Sequence, residues 1–512
     1  MPLRNPNSLR PSAGLPALTR SARALPAILA WLVFLCAVPA RAHVGSPDVY
    51  AEGDAGPYKL FVTIRPPMVI PGVAQVEVRT SAPRLDGIRM APMPLTGDAS
   101  RHPPVADLMR HSPEDPEFYS GSLWIMSSGS WQVRFQVSGK QGAGELSIPV
   151  AATPIATLKM QPWMGAGLAL LGLFLVLGMA GIAGAAVRDA QLAPGSLPPG
   201  GQRLRARWVT AAAAAVLLLA VWLGGRWWNA EAAGYANNVY KPLAMQAVLT
   251  PGNVLDLKLS NPSTGPAGWM HLRKLDDFIL DHDHLMHLYM IREPQMDVVF
   301  HLHPTFAPSG DFLLNLPQMP AGSYRLYADV VHADGFPETL VTSIGLPAIQ
   351  GRPLAGDDAE GTAPPLSQAS EEQTAFRLPD GYMMVWARPP VLRARRPELF
   401  AFYLLDPQGK PPADMALYMG MLGHAAFVRS DGAVFAHIHP SGSPAMAAMM
   451  LARQSDGSMN GMSMPMSGDP GRLPNRVTFP YGFPTPGKYR IFVQMKHGDT
   501  IETGAFDADV PR

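Results

Sequence analysis

Cysteine is almost missing from this sequence. The 512 residues contain one, Cys36, and it lies inside a segment with the features of a cleavable signal. After cleavage the chain would contain no thiol, which excludes structural disulfides and metal sites built on thiolates. Any metal ion would therefore be bound by histidine, methionine, carboxylate or backbone groups.

Charged residues are also scarce, at 16%, and the formal net charge is +1. The sequence lacks the basic surplus of a polyanion-binding protein, so we expect no nucleic-acid partner. Proline (54 residues) and glycine (48 residues) are abundant. This composition favours turn-rich β domains combined with membrane segments over helical bundles.

The N-terminus predicts a secretory signal peptide, residues 1–42. Four arginines (Arg4, Arg10, Arg20 and Arg23) precede the apolar run 25–38, and Ala40-Arg41-Ala42 has the small-x-small pattern of a cleavage site. An uncleaved membrane anchor is the alternative, but the apolar run is short for a span of about 20 residues.

Two longer apolar runs predict transmembrane helices at 164–187 and 208–225, with tryptophans near their ends as interfacial anchors. The loop between them, 188–207, has four arginines and one acid, so the positive-inside rule puts it in the cytoplasm. The alternative is that the runs are buried core helices. This topology, like the signal peptide, places 43–160 and 227–512 in the periplasm, outside a bacterial inner membrane.

The soluble regions contain short strands of alternating apolar residues, separated by turns rich in proline and glycine. This pattern predicts a mainly β fold with three small Ig-like or cupredoxin-like antiparallel β-sandwich domains, in addition to the two transmembrane helices. The predicted domain bounds are 43–153, 245–348 and 376–511. A polar, turn-rich segment at 349–375 is predicted to be a linker.

The second and third sandwiches align with each other as an internal repeat, and we call them repeat 1 and repeat 2. HLYMIREPQMDVVFHLHP (287–304) matches HAAFVRSDGAVFAHIHP (424–440), and AGSYRLYADVVHADG (321–335) matches PGKYRIFVQMKHGDT (486–500). Four histidines recur in register: His287 with His424, His301 with His437, His303 with His439, and His332 with His497.

The H-x-H pairs predict metal sites. Alternate side chains of a strand project from one face, so each pair presents two imidazoles to one side, and neighbouring strands would add a third and a fourth. We therefore expect one site for copper, zinc or nickel in each repeat, built from His287, His301, His303 and His332 and from His424, His437, His439 and His497. The alternative is that H-x-H-P only ends a strand, with solvated or core-capping histidines.

A methionine-rich segment in repeat 2, 446–468, carries thioethers among glycine, serine and proline, which is typical of an exposed loop. Thioethers select Cu(I), so we expect copper, as Cu(I) or Cu(II), ahead of zinc. The alternative is an adaptable apolar surface. The candidate ligands are Met459, Met462, Met464 and Met466.

Two further groups of histidines have weaker signals. Cleavage after Ala42 would make His43 the first residue, whose amine and imidazole can chelate one metal ion. His282 and His284 precede the first strand of the repeat-1 hairpin in the sequence DHDH. They could hold a second ion, but we expect a solvated loop.

The stretch LMHLYMIREPQMDVVFHLHP (285–304), followed by MPAGSYRLYADVV, resembles a periplasmic domain found among bacterial heavy-metal and copper-efflux proteins. The first sandwich, with its turn from Gly129 to Trp131, is similar to FixH-like and YtkA-like β-sandwich domains. His43 resembles a feature of CopC-like copper carriers, although their Asp-Gly-His stretch is absent. These resemblances imply a periplasmic location and a β-sandwich fold.

The sequence therefore predicts a membrane-anchored periplasmic metal-binding protein that handles or delivers copper, with metal-transport or oxidase-assembly proteins as expected partners. We do not expect an enzyme, because neither H-x-H is followed by the glutamate of bicupin oxygenases, and no Ser/His/Asp or paired-carboxylate set stands out. Two alternatives remain open: a metal-free scaffold of a membrane complex and a copper-dependent metalloenzyme.

Overall fold

The computed structural model describes residues 45–81, 85–193, 195–237, 239–262, 273–368, 373–456 and 472–511. The predicted signal peptide, His43 and the candidate ligands Met459, Met462, Met464 and Met466 lie outside these ranges. Within them, the prediction of a mainly β fold is confirmed, because six antiparallel sheets accompany two long apolar helices.

The N-terminal sandwich consists of two sheets packed around a hydrophobic core. Its strands are β1 (Val49–Ala55), β2 (Tyr58–Arg65), β3 (Gly72–Thr80), β4 (Leu85–Pro94), β5 (Asp107–Leu108), β6 (Arg110–His111), β7 (Phe118–Ile125), β8 (Gly129–Gly139) and β9 (Gly142–Ala152). They form the sheets β1-β2-β3-β7-β6 and β5-β4-β8-β9. In β3, Ala74, Val76 and Val78 point into the core while the residues between them are more exposed, as expected for a pleated strand with one buried face.

Two helices follow, α1 (Pro162–Asp189) and α2 (Gly200–Asn237), and both extend beyond the predicted spans. Both are long and apolar enough to cross a membrane. Their large apolar side chains are mostly exposed, which is unusual for the core helices of a soluble protein. The helices contact each other through small residues, since Ala180, Gly184 and Ala206 are buried.

Repeat 1 consists of two sheets. Its strands are β10 (Ala244–Thr250), β11 (Val254–Ser260), β12 (His287–Glu293), β13 (Val298–Leu302), β14 (Thr305–Phe306), β15 (Phe312–Asn315), β16 (Gly322–Val331), β17 (Pro337–Leu346) and β18 (Ala359–Thr362). The sheets are β10-β11-β15-β14 and β17-β16-β12-β13-β18. The second sheet carries the histidines, on and beside the hairpin β12–β13.

Repeat 2 has the same plan. Its elements are β19 (Ala375–Arg377), β20 (Met383–Ala387), β21 (Glu398–Leu405), β22 (Met415–Ala416), β23 (His424–Arg429), β24 (Phe435–Ile438), α3 (Met446–Asp456), β25 (Arg476–Tyr481), β26 (Gly487–His497) and β27 (Thr500–Val510). One sheet is β19-β20-β21-β25. The other is β22-β26-β23-β24, with β27 also paired to β26, and its hairpin β23–β24 carries the second H-x-H.

Part of the predicted linker is a strand. β18 pairs with β13 and covers the edge of the sheet that carries the histidines of repeat 1. An uncovered edge strand leaves a row of backbone groups unpaired, which explains why this polar segment is ordered there.

The methionine-rich segment begins as a helix, α3, and not as the exposed loop that its composition indicated. Met449 is buried against the core of the N-terminal sandwich, and Ala448 and Ala452 are buried on the same helix. Alanine and methionine are strong helix formers, which accounts for the difference.

The two repeats share one hydrophobic core. Tyr327 of β16 stacks on Phe435 of β24 with ring centroids 4.2 Å apart, and its hydroxyl donates to the carbonyl oxygen of Gly432 at 3.3 Å. The hairpins β12–β13 and β23–β24 consequently face each other across the interface between the repeats.

Candidate metal centre

Strand register sets the direction of the histidines. In repeat 1, His301 lies opposite Tyr289 on the neighbouring strand. His287 precedes Tyr289 by two residues and His303 follows His301 by two, so all three project from one face of the sheet. Repeat 2 reproduces this register at its three equivalent histidines.

Eight histidines meet between the repeats in one cluster, which we call the histidine centre. Neighbouring ring centroids lie between 3.8 and 6.3 Å apart. The members are His282, His284, His287, His301, His303, His424, His437 and His439. Two sets of three have ligand atoms within 4.8 Å of one another, namely His287, His301 and His303, and His282, His424 and His439.

This single centre differs from the expected pair of separate sites. The ring of His437, from repeat 2, lies 5.4 Å from the rings of both His287 and His301, from repeat 1. His282 and His284, expected in a solvated loop, are half-buried members: His282 groups with two histidines of repeat 2, and His284 stacks on His303 at 3.8 Å. The two inward faces meet in the same space because the hairpins face each other.

Oxygen acceptors orient six of the eight rings. A carbonyl or carboxylate oxygen accepts, so the ring nitrogen that faces it donates and the other nitrogen keeps its lone pair. The outer partners of metal-bound histidines act in this way. The hydrogen-bond acceptors are Asp281 O for His287 (2.9 Å), Gln494 Oε1 for His301 (2.9 Å), Asp358 Oδ1 for His303 (2.9 Å), Asp357 Oδ2 for His284 (3.3 Å) and Pro444 O for His439 (3.3 Å). For the sixth ring, Asp329 Oδ2 faces His437 Nδ1 at an ion-pair distance of 3.4 Å.

The hydrogen bonds to these acceptors leave two ring nitrogens that face each other without a hydrogen between them. His287 Nδ1 and His301 Nε2 lie 3.2 Å apart. Because the other nitrogen of each ring donates to an oxygen, neither of the facing atoms carries a hydrogen when both rings are neutral. Two facing lone pairs repel, whereas a metal ion bound to both would be attracted. The donor set fits such an ion, since imidazole nitrogen suits copper, zinc and nickel.

Six further ring nitrogens are buried and have no hydrogen-bond partner among the described residues. A buried polar atom left in this state costs about 1–3 kcal/mol. Because a neutral imidazole keeps a hydrogen on one of its two nitrogens, these six atoms offer at most five lone pairs to bound metal. They are Nε2 of His282, His303, His437 and His439 and both ring nitrogens of His424.

Burial keeps six of the eight imidazoles in the neutral form. It lowers the pKa of His303, and it lowers the pKa of His439 to about 4. For four other rings, burial and then the charges of neighbouring imidazoles lower the pKa well below its ordinary value: His287, His301, His424 and His437. Since metal binds neutral imidazole, the centre needs no deprotonation at neutral pH.

Each repeat orients an imidazole of the other. His301 of repeat 1 donates to Gln494 of repeat 2, while His437 of repeat 2 faces Asp329 of repeat 1. Gln494 and Asp329 are equivalent residues, because each lies opposite the first histidine of its own repeat. Neither repeat therefore completes the centre alone.

His332 and His497 lie outside the histidine centre, contrary to the expected grouping. In repeat 1, Asp329 lies opposite His287, and His332 follows three residues later. In repeat 2, Gln494 lies opposite His424, and His497 follows three residues later. Three residues correspond to about 10 Å along a strand. His332 Nδ1 is instead 2.8 Å from Asp277 Oδ1. Hydrogen bonds to Glu338 and Asp277 outweigh the effect of burial and raise the pKa of His332.

His497 lies in a comparable carboxylate set. Its Nε2 is 3.3 Å from Glu502 Oε1 and 3.6 Å from Asp380 Oδ2, and these three groups could also hold a metal ion. In repeat 1, Arg273 pairs with Glu338 beside His332. The carboxylate set around His332 therefore already contains a cationic side chain.

The acceptor residues could have been found from the sequence only in part. Asp281 and Asp358 carry no sequence signal, because their contacts depend on loops. Asp329 and Gln494 follow Tyr324 and Tyr489 by five residues in the aligned copies, so their equivalence was visible, but their partners across the interface were not.

Residues 376–512 match the model of a domain of unknown function, DUF8832. FixH-like and YtkA-like domain families give no match, and no curated protein matches the chain.

Two solved structures show distant similarity to the chain. One is the tetra-tandem repeat in the extending region of a large adhesion protein, with 8% identity over 86% of this chain and 71% of that chain and a TM-score of 0.15. Another is alpha-2-macroglobulin from Salmonella reacted with methylamine, with 8% identity over 90% of this chain and 24% of that chain and a TM-score of 0.20.

Proposed function

We propose that this chain is a membrane-anchored periplasmic protein that binds copper at the histidine centre and handles or delivers it. The observation that carries the proposal is the convergence of buried lone pairs from both repeats in two sets of three histidines. Three ligand atoms within 4.8 Å of one another suit one ion per set, so we expect two ions per chain.

Copper is preferred over zinc on chemical grounds. Imidazole donors bind both metals, but Cu(II) lies above Zn(II) in the general affinity order of divalent metals. The thioethers of the methionines in segment 446–468 favour Cu(I). The resemblance of 285–304 to domains of copper-efflux proteins also favours copper. Zinc is the second candidate.

The membrane assignment is supported by α1 and α2, whose apolar surfaces are exposed along most of their length. The arginines of the loop 188–207 favour a cytoplasmic loop and soluble regions in the periplasm. Metal-transport or oxidase-assembly proteins in the same membrane are the partners that this location would suit.

We propose binding rather than catalysis because the donor atoms are buried. The facing nitrogens of His287 and His301 belong to side chains that are at most 1% exposed. Such a site suits a small ion better than an organic substrate. His284, with 26% of its side chain exposed, lies at the outer edge of the cluster and offers an entry point for an ion.

The test is a metal titration of the full chain in detergent with Cu(I), Cu(II) and Zn(II). Wild type is compared with His301→Gln/His303→Gln and His424→Gln/His439→Gln, which keep side-chain volume, and with His102→Ala/His111→Ala, which removes two exposed histidines. We expect two tightly bound copper ions in wild type and in the exposed-site control, and at most one in either centre variant. Equal binding by all four proteins would reject the histidine centre as the site and favour the scaffold alternative.

A further inference from the structure

The histidine centre has approximate internal two-fold symmetry. The rings of His287 and His303 are 5.0 Å apart, and their equivalents in repeat 2 are 5.1 Å apart. The pair His287–His301 and its equivalent pair are both separated by 5.4 Å at an interplanar angle of 40°. A residue that lacks its own sequence signal can therefore be placed through its equivalent in the other repeat.

The loops before β12 and β23 have the same backbone conformation, in agreement with this symmetry. In repeat 1, Asp281 and His284 exchange two backbone hydrogen bonds of 2.8 and 3.0 Å; in repeat 2, Tyr418 and Met421 exchange two of 2.7 and 3.0 Å. The second loop residue has a φ of 49° in both copies, at His282 and at Met419. Each of these second residues precedes the first histidine of its repeat by five positions, so Met419 is the equivalent of His282.

The position of His282 shows what its equivalent would contact. The His282 ring lies 5.1 Å from that of His424 and 5.0 Å from that of His439, both of the opposite repeat. By symmetry, Met419 lies beside the first and last histidines of the repeat-1 set, His287 and His303.

An independent contact agrees with this placement. Met419 is 8% exposed and belongs to a small buried cluster with Ala359 and Tyr418. Ala359 lies opposite His301 in the pairing of β18 with β13, and the preceding residue, Asp358, accepts the hydrogen bond of His303. Met419 is therefore buried on the side of the centre where the repeat-1 histidines are located.

We propose that the thioether of Met419 is the fourth ligand of the set formed by His287, His301 and His303. The inference rests on the proposed function, since it needs a metal at the centre. It makes the centre chemically asymmetric: one ion is bound by imidazoles alone, and the other by three imidazoles and one sulfur. A soft sulfur ligand selects Cu(I) over Zn(II), so this second position would be a Cu(I) site.

Met421 provides a matched control. It is 3% exposed and is the equivalent of His284, which stacks on His303 and directs Nε2 toward Asp357, away from the shared space. Leucine replaces methionine with little change in volume, so both Met419→Leu and Met421→Leu should fold.

The experiment measures Cu(I) and Zn(II) affinity by chelator competition, together with X-ray absorption of the Cu(I)-loaded full chain. In Met419→Leu we expect one of two Cu(I) ions to bind about 100-fold more weakly, because losing a direct ligand should cost at least as much as losing an outer partner of a ligand. Zn(II) affinity should be unchanged and copper–sulfur scattering reduced. Met421→Leu should behave as wild type.

Two failures are distinguishable. Wild type that binds no copper overturns the proposed function and this inference together. Wild type that binds two copper ions while Met419→Leu keeps both affinities and the sulfur signal overturns only the assignment of Met419.

Discussion

The ring of His301 is held by contacts on three sides, which leave one nitrogen directed at the centre. Its Nδ1 donates to Gln494 Oε1 at 2.9 Å and lies 3.2 Å from the hydroxyl of Tyr418. Tyr418 donates its own hydrogen to Asp357 O at 2.8 Å, so it faces His301 as an acceptor. The ring of Tyr289 stacks on His301 at 4.1 Å. Together these contacts determine which His301 nitrogen can bind metal.

Gln494→Leu tests this orientation at the level of one residue. We expect metal affinity at the centre to fall about 10- to 100-fold, the usual cost of losing a partner that orients a metal-bound histidine. The measurement is the same chelator competition on the full chain. Gln136→Leu, which removes an exposed glutamine of the N-terminal sandwich that pairs with Glu145, is the control. Unchanged affinity in Gln494→Leu would mean that Tyr418 alone orients the ring.

At the scale of elements, strand β26 joins the repeats through a buried arginine. Arg490 is 1% exposed and forms two hydrogen bonds of 2.8 Å to the carboxylate of Asp507. Its Nη1 also donates to the carbonyl oxygens of Met296 and Pro364, each at 2.8 Å, on the side of repeat 1. The interface is thus stabilised by a charged side chain whose donors reach across it.

Arg490→Met should destabilise the joined repeats by about 3 kcal/mol, because it leaves the carboxylate of Asp507, whose side chain is 14% exposed, without its partner. The equivalent residue of repeat 1 is Arg325, whose side chain is 29% exposed. Its Nη1 lies 3.5 Å from Glu293 Oε1, which is a longer contact than those of Arg490. Arg325→Met should therefore cost about 1 kcal/mol or less. Denaturant unfolding of the full chain measures both, and similar losses for the two variants would contradict the assigned role of Arg490.

The elements also show what sequence reasoning could and could not reach. Alternating apolar residues predicted the strands of all three sandwiches, and the aligned H-x-H pairs predicted which faces carry histidine. Period-2 alternation says which side chains share a face, but not which sheet covers that face. The meeting of His301 with His437 depends on contacts distant in sequence, such as Tyr327 on Phe435. The aligned positions of His332 and His497 were visible, yet their separation from the centre was not.

For the whole molecule, the histidine centre links stability to pH. Burial lowers the folded-state pKa of six of its histidines, and that of His439 to about 4, whereas an unfolded histidine titrates near 6.5. As pH falls below about 6.5 the unfolded chain takes up protons that the folded chain does not, so metal-free stability falls. By pH 5.5 the contribution of His439 alone to the free energy of unfolding has fallen by about 1 kcal/mol. Groups whose pKa is raised act in the opposite sense, chiefly His332 and the carboxyl groups of Asp329 and Glu502, both of which are raised to about 7. They offset part of the loss from the six histidines whose pKa is lowered: His287, His301, His303, His424, His437 and His439.

Hydrogen exchange of the metal-free full chain between pH 7.5 and 5 tests this linkage, after correction for the intrinsic pH dependence of exchange. We expect protection of β12, β13, β23 and β24 to fall below about pH 6.5. Strands β2 and β3 of the N-terminal sandwich serve as the internal control, because the two histidines described in that domain, His102 and His111, are exposed. Loading with copper should shift the loss of protection to lower pH, since the metal and the proton compete for the same lone pairs. Parallel loss in the control strands would point to a general acid effect, and an unchanged profile after copper loading would mean that the metal binds elsewhere.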